Sequence, residues 1–228
     1  MSMNDMIKLS NLIKQYRTNI NKDQIILDKA GIKKHNMLYH EIKSIEAQFL
    51  QVWDKFNANE SYEAIFLGIS AYLAIIYLEY DKTNVRVLKV LRPLHVKQTK
   101  ILFKRIRLEQ KLEKTNETVM VMRKLYDEKN DLFNKRTHEE YKLSPPNTLK
   151  IKVTQTGFVQ MWVKYKNDPS VEKQFLTYSK EYAKYLSEIN TNKIKIRNSK
   201  KIQTYHKMLH HNYLQRSSLE DRLLENII

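Results

Sequence analysis

Histidines are the side chains of this sequence best suited to proton transfer or metal binding. Two of the seven, His206 and His210, are four positions apart on an expected helix, a spacing that can hold a metal ion. No glutamate lies between them as in a zinc hydrolase motif, no third ligand is obvious, and the chain has no cysteine. The sequence also has no glycine-rich phosphate loop. We therefore expect no metal, no cofactor and no enzymatic activity.

A second group of polar side chains lies near the N-terminus, on a helix predicted over residues 33–43. Leu38 and Ile42, four positions apart, would seat this helix on a core. Lysine binds phosphate oxygens, and asparagine can form two hydrogen bonds with the edge of an adenine. The side chains predicted to contact DNA are Lys33, Lys34, His35, Asn36, Tyr39, His40 and Lys43.

The elements around this helix have the order of a helix-turn-helix. A first helix is predicted over residues 6–17. A second follows Asn21, its predicted cap, and ends at Gly31, where glycine tolerates a left-handed conformation. Ser44 is predicted to cap a fourth helix behind residues 33–43. Residues 1–49 are thus expected to form a DNA-binding domain.

The predicted turn and the helix after it have an ordered set of residues within the segment 30–49. These are Ala30-Gly31-Ile32 and Leu38-Tyr39-His40-Glu41-Ile42-Lys43-Ser44-Ile45-Glu46-Ala47-Gln48-Phe49. The segment resembles the TetR family of transcriptional repressors, whose pattern is Ala-Gly-Val, then Leu-Tyr-x-x-Phe-Lys-Ser-x-Glu-x-x-Phe. This chain has an extra residue between Gly31 and Tyr39, and Ile42 and Ile45 replace a phenylalanine and a lysine. The resemblance implies a homodimeric repressor on a palindromic operator in double-stranded DNA, released by a small-molecule or protein effector.

The rest of the chain predicts long helices, because the sequence has only 3 glycines and 4 prolines for turns. Leu149, Ile151 and Val153 alternate with polar residues as in a strand, but a lone strand would lack a partner, so this segment is predicted helical. The fold is therefore expected to be all-α. The predicted helices after residue 50 are 61–80, 84–91 (ended by Pro93), 94–113, 117–141, 149–166, 170–190 and 202–227.

Residues 50–190 are expected to form a sensor and dimerisation domain. Aromatic stripes containing Phe158, Trp162 and Tyr165, and Phe175 and Tyr182, predict either its core or a homodimer interface. Residues 191–228 would be an extension, with a basic linker up to Lys201 and a last helix that either docks or frays. Candidates for lining an effector pocket are Phe66, Tyr72, Tyr77, Met120, Tyr126, Phe133, Phe158 and Trp162.

The formal net charge of +16 favours polyanionic partners. Residues 1–50 have 8 Lys and Arg against 5 Asp and Glu, whereas residues 151–200 have 10 against 4. The charge thus extends beyond the predicted DNA-binding domain, along residues 97–114 and 193–201 in particular. It supports an alternative function, that of a basic all-α interaction protein or a nucleic-acid binder without sequence readout. The longest apolar run, 64–78, is short for a membrane span, so we expect a cytoplasmic protein without a membrane partner.

Overall fold

The computed structural model describes residues 3–144 and 148–225, although the side chains of residues 148, 149 and 151 are outside this description. The described chain is all-α and has no strand, as predicted, and the segment with strand-like alternation is helical. Short 3-10 helices, Glu60–Tyr62 and Pro169–Val171, precede two of the seven α-helices. These are α1 (Met3–Lys29), α2 (Ile32–Ala58), α3 (Glu63–Leu112), α4 (Glu117–Leu143), α5 (Thr148–Asn167), α6 (Glu172–Asn198) and α7 (Lys200–Glu225).

Several turns between helices lie where the sequence predicted them. Gly31 adopts a left-handed conformation, with φ 95°, between α1 and α2. The side chain of Asn59 accepts a hydrogen bond from the amide of Ser61 at 3.0 Å, and Asp168 does the same for Ser170. The hydrogen bonds from Ser170 keep the pKa of Asp168 below its ordinary value. Residues 145–147, which lie between the predicted helices 117–141 and 149–166, and the end of the predicted helix 202–227 lie outside the described residues.

Five other predicted helix ends are wrong. α1 continues through Asn21, α2 through Ser44, α3 through residues 81–83 and through Pro93, and α6 through the predicted linker to Asn198. Asn21 and Ser44 can cap a helix, but capping requires the chain to leave the helix, and here the helix continues. Pro93 lies on an exposed surface of α3, where the carbonyl group that loses its amide partner can be hydrated.

The helices form two compact units that differ from the serial domains expected from the sequence. Unit 1 consists of residues 1–29, 89–143 and 196–228. Unit 2 consists of residues 30–88 and 144–195. The predicted DNA-binding segment 1–49 is therefore divided, with α1 in unit 1 and α2 in unit 2. The predicted extension contributes α7 to unit 1.

Unit 2 has an aromatic core formed by α2, α5, α6 and the first half of α3. Phe49, Phe66, Phe158 and Phe175 are fully buried. The rings of Phe49 and Phe66 are stacked with centroids 5.3 Å apart, and those of Phe158 and Tyr182 with centroids 4.9 Å apart. Such rings remove large apolar areas from water and thereby stabilise this unit.

One described helix, within Glu60–Leu112, is long and apolar enough to cross a membrane by length and composition alone. Phe66, Leu73, Ala74 and Tyr77 of this stretch are buried in the core of unit 2. The apolar composition of the stretch is thus partly explained by core packing.

Unit 1 combines a small apolar core with a buried network of charges. Leu9 and Ile13 of α1 pack with Val119 and Met122 of α4 and with Leu223 of α7. α7 also docks on α4 through polar contacts. Its Asn212 and Arg216 side chains each donate a hydrogen bond to an α4 carbonyl oxygen at 2.9 Å.

The charge network of unit 1 connects α1, α3 and α7. Arg105 donates to Glu109 at 2.7 Å and also to Glu220, and Arg216 donates to Glu109 at 2.8 Å. Arg17 contacts Glu220 at 3.1 Å. Burial raises the pKa of Glu220, but the nearby charge and hydrogen bond of Arg105, together with Arg216 and Arg17, bring it below its ordinary value. Glu220 is therefore charged at neutral pH.

Replacing Gly31 by alanine is expected to lower the free energy of unfolding by about 1 kcal/mol, because a Cβ disfavours the left-handed conformation. Gly68 provides the matched control. It lies inside α3, and a Cβ added there would meet open space, so Gly68→Ala should raise the free energy of unfolding by roughly 0.5–1 kcal/mol. Urea denaturation measures both effects. If the free energy of unfolding changed in the same direction and by the same amount in the two variants, this expectation would be wrong.

Candidate nucleic-acid interface

The predicted recognition helix, residues 33–43, is the N-terminal part of α2. Leu38 and Ile42 are buried, as their spacing predicted. The Lys34 ammonium group lies 2.7 Å from a Glu79 carboxylate oxygen, and the half-buried His35 ring lies 4.7 Å from the Tyr80 ring. Two of the seven predicted DNA contacts therefore interact with α3 within unit 2.

Lys43, a third predicted contact, is held by a chain of hydrogen bonds that extends into the core of unit 2. It donates to Glu46 at 2.6 Å, and Glu46 also accepts a hydrogen bond from Tyr77 at 2.6 Å. The Tyr77 and Tyr182 hydroxyl groups lie 2.5 Å apart. Burial raises the pKa of both tyrosines, so their hydroxyl groups remain protonated. These hydrogen bonds hold the Lys43 ammonium group beside the Glu46 carboxylate, so that it is not free to bind a DNA phosphate.

The remaining predicted contacts lie on the outer surface of α2. Lys33, Asn36, Tyr39 and His40 are exposed, and the Lys43 ammonium lies 5.4 Å from the centre of the Tyr39 ring. This surface has polar groups suited to DNA. However, unit 2 as a whole has only 15 Lys and Arg against 11 Asp and Glu.

The eight candidates for an effector pocket are divided between the two units. Phe66, Tyr77 and Phe158 are core residues of unit 2, whereas Tyr72 is exposed. Trp162 lines an open groove of about 490 Å³ in unit 2, together with Ala64, Gly68 and Tyr165. The other three lie on α4 in unit 1, and they are Met120, Tyr126 and Phe133. Neither unit brings all eight residues together.

Positive charge is concentrated in unit 1, which has 26 Lys and Arg against 14 Asp and Glu. The second half of α3 carries much of it. Between Lys89 and Leu112 the sequence has one acidic residue, Glu109, whose side chain is fully buried. The exposed surface of this half-helix consequently has no carboxylate.

Five exposed cations of α3 form a continuous row, which we call the basic stripe. Their spacing of three and four residues keeps them on one side of the helix. At 1.5 Å per residue, the row is about 21 Å long, with one cation every ~5 Å. The basic stripe consists of Lys97, Lys100, Lys104, Arg107 and Lys111.

The cations in the middle of the basic stripe have no counter-ion among the described residues. At its ends, Lys97 lies 3.9 Å from Asp23 and Lys111 lies 2.7 Å from Asp5. No ion pair involves Lys100, Lys104 or Arg107 within the described part of the chain. These three groups are available to an external anion.

A groove of about 540 Å³ runs beside the basic stripe within unit 1, between α1 and α3. Leu12 and Leu108 give it an apolar floor. Its sides have four cationic groups and two amides that can donate or accept hydrogen bonds. These polar lining residues are Lys8, Asn11, Gln15, Lys104, Arg107 and Lys111. The groove is thus suited to an anion with additional polar groups.

The basic stripe was not among the site residues predicted from the sequence. The positive charge along residues 97–114 was apparent in the sequence, but the arrangement of its cations on one side of the helix was not predicted. Two features of the sequence indicate the basic stripe: the spacing of three and four residues between the cations from Lys97 to Lys111, and the presence of a single acidic residue in 89–112. A search for cations at helical spacing would therefore have found this site.

The histidine pair His206 and His210, considered in the sequence as a possible metal site, lies on α7. His206 lies 3.9 Å from a carboxylate oxygen of Glu140. Over residues 3–144 and 148–225, no three His, Asp or Glu side chains come together as potential metal ligands.

Comparisons with known proteins do not identify a relative: no family model matches the chain, and neither the curated proteins nor the solved structures compared with it give a match.

Proposed function

We propose that this chain is a nucleic-acid-binding protein that contacts the sugar–phosphate backbone through the basic stripe of α3. The observation that carries this proposal is the row of exposed cations on a half-helix whose one acidic residue is buried. Nucleic acids present phosphate charges in rows at a spacing of a few ångströms, whereas a small anion needs only one or two of these cations.

Counter-ion release supplies the driving force in this proposal. Each phosphate that a lysine or arginine neutralises releases condensed cations, so affinity falls steeply with salt. Lys100, Lys104 and Arg107 need not break a protein ion pair before binding, because no described residue pairs with them. The stripe is therefore expected to supply affinity without reading sequence.

Neutralising the centre of the stripe should weaken binding to a labelled 30-nucleotide oligomer about a hundredfold. The variant combines Lys100→Gln, Lys104→Gln and Arg107→Gln. Since each lost phosphate contact changes the slope of log affinity against log salt by ~0.7–0.9, the slope should fall by about 2. Fluorescence anisotropy between 50 and 200 mM salt measures both quantities.

The matched control for this variant removes the same charge from unit 2. Lys164, Lys166 and Lys173 are exposed and form no ion pair with a described residue. Their triple glutamine variant should bind as the wild type does. Equal losses in the two triple variants would mean that net charge alone attracts the oligomer. Binding to anionic lipid vesicles but not to oligonucleotides would contradict the proposed function.

A second candidate function is sequence-specific regulation through α2, as the TetR resemblance implies. The exposed polar surface formed by Asn36, Tyr39 and His40 supports it. Selection from a library of random duplexes distinguishes the candidates. An enriched palindrome whose enrichment is lost in Asn36→Ala supports regulation, whereas salt-dependent binding without enrichment supports contact with the backbone alone.

A further inference from the structure

An exposed aromatic ring lies beside the basic stripe. Phe103 is 60% exposed, although its ring is among the largest apolar groups in the chain. Lys100 and Arg107 are three positions before it and four positions after it, so their side chains are its neighbours on the helix surface. Lys104 follows directly. Two of the cations that have no counter-ion among the described residues, Lys100 and Arg107, are thus neighbours of the ring on the helix surface.

Two other aromatic rings of unit 1 have cationic partners. The Arg136 guanidinium lies 4.8 Å from the centre of the Phe133 ring. Tyr126 has two such neighbours, Arg123 at 5.1 Å and Arg216 at 5.3 Å. In the described chain, by contrast, Phe103 makes no ring or cation contact. Its face can therefore receive a flat group from outside.

We infer that the basic stripe binds single-stranded nucleic acid, with an unpaired base stacked on Phe103 while Lys100, Lys104 and Arg107 hold the adjacent phosphates. This inference rests on the proposed function and specifies its substrate class. Base–aromatic stacking requires a base face that is free, and in a duplex both faces are occupied by neighbouring pairs. The amides of Asn11 and Gln15 in the adjoining groove provide hydrogen-bonding groups for a second unpaired base.

The test compares a labelled 30-nucleotide oligo(dT) with a 30-base-pair duplex by anisotropy in 100 mM salt. The wild type should prefer the single strand. Phe103→Ala should weaken oligo(dT) binding about five- to a hundredfold and leave duplex binding and the salt slope unchanged, because no charge is removed. Phe103→Tyr keeps an aromatic face and should retain oligo(dT) affinity within about threefold.

Phe103→Leu separates stacking from simple apolar contact, and it should bind oligo(dT) as weakly as Phe103→Ala. Wild-type affinity in Phe103→Leu would overturn the stacking assignment. Duplex binding tighter than oligo(dT) binding, with no effect of Phe103→Ala, would overturn this inference and leave the proposed function standing. Absence of binding to either oligonucleotide would instead overturn the proposed function. Phe103 is exposed, so unchanged melting temperatures should show that all three variants are folded.

Discussion

Replacing Arg105 by methionine is expected to lower the free energy of unfolding by about 3–5 kcal/mol. Arg105 is 4% exposed and donates hydrogen bonds to both Glu109 and Glu220. Methionine fills much of the same volume but leaves Glu109, whose side chain is fully buried, with Arg216 as its remaining cation in the network. A buried carboxylate that loses a partner retains its full desolvation cost. Urea denaturation followed by circular dichroism measures the loss.

An exposed ion pair of similar geometry provides the control. Lys135 lies 2.6 Å from Asp131, and both side chains are more than half exposed. Lys135→Met should change the free energy of unfolding by less than about 0.5 kcal/mol, because water screens the pair. Losses of equal size in the two variants would mean that burial does not determine the strength of these contacts.

The pH dependence of the wild type gives a further check on the same prediction. The pKa of Glu220 is lower in the folded protein than its ordinary value. Its contribution to stability is therefore present above the unfolded-state pKa and is lost as the pH falls through the folded-state pKa. The difference in stability between the wild type and Arg105→Met should accordingly narrow below the ordinary pKa of glutamate, about 4.3.

Phe158→Ala is expected to lower the free energy of unfolding by about 3–5 kcal/mol through a cavity in the core of unit 2. The Phe158 ring is fully buried, with its centroid 5.9 Å from that of Phe175 and 4.9 Å from that of Tyr182. From the sequence alone, the aromatic stripe of Phe158, Trp162 and Tyr165 could equally have formed a dimer interface. Because the ring is enclosed within unit 2, a charged residue here is expected to unfold the unit rather than to yield a folded monomer.

Phe133→Ala is the matched control, since it makes the same substitution at a half-exposed position. Its cost should remain below about 1 kcal/mol. Analytical ultracentrifugation of the Phe158 variant, combined with its urea midpoint, distinguishes core packing from a dimer interface as the role of this aromatic stripe. A folded, stable monomeric variant of a wild type that sediments as a dimer would show that Phe158 acts at an interface between copies.

Local chemistry in the sequence was sufficient to predict the helical class and several turns. Gly31 and Asp168 form turns through local effects alone. Gly31 adopts the left-handed conformation of its turn, and the Asp168 side chain accepts a hydrogen bond from the nearby Ser170 amide. Ser44 and Asn21 have the same capping chemistry but lie inside continuous helices, because packing along α1 and α2 outweighs a weak local preference. Propensity alone does not reveal this outcome.

The division into two units, and with it the setting of the candidate site, depends on contacts between distant parts of the chain. Lys111 of α3 and Asp5 of α1 are 106 positions apart, and no periodicity connects them. The spacing of the basic stripe was present in the sequence, whereas the lack of described partners for its three central cations required the positions of Asp5, Asp23 and the buried Glu109. Which cations are available to a ligand is thus a property of the fold.

Unit 1 combines segments that the ribosome makes at widely separated times. Arg17 of α1 binds Asp221 of α7, which is 204 positions later. At 5–20 residues per second, about 10–40 s of translation separate the two. During that interval the apolar side chains of Leu9 and Ile13 lack the α7 side of their packing, while the segments of unit 2 are complete by residue 195. A nascent chain of this protein therefore lacks part of the packing around its first helix until its last helix has been made.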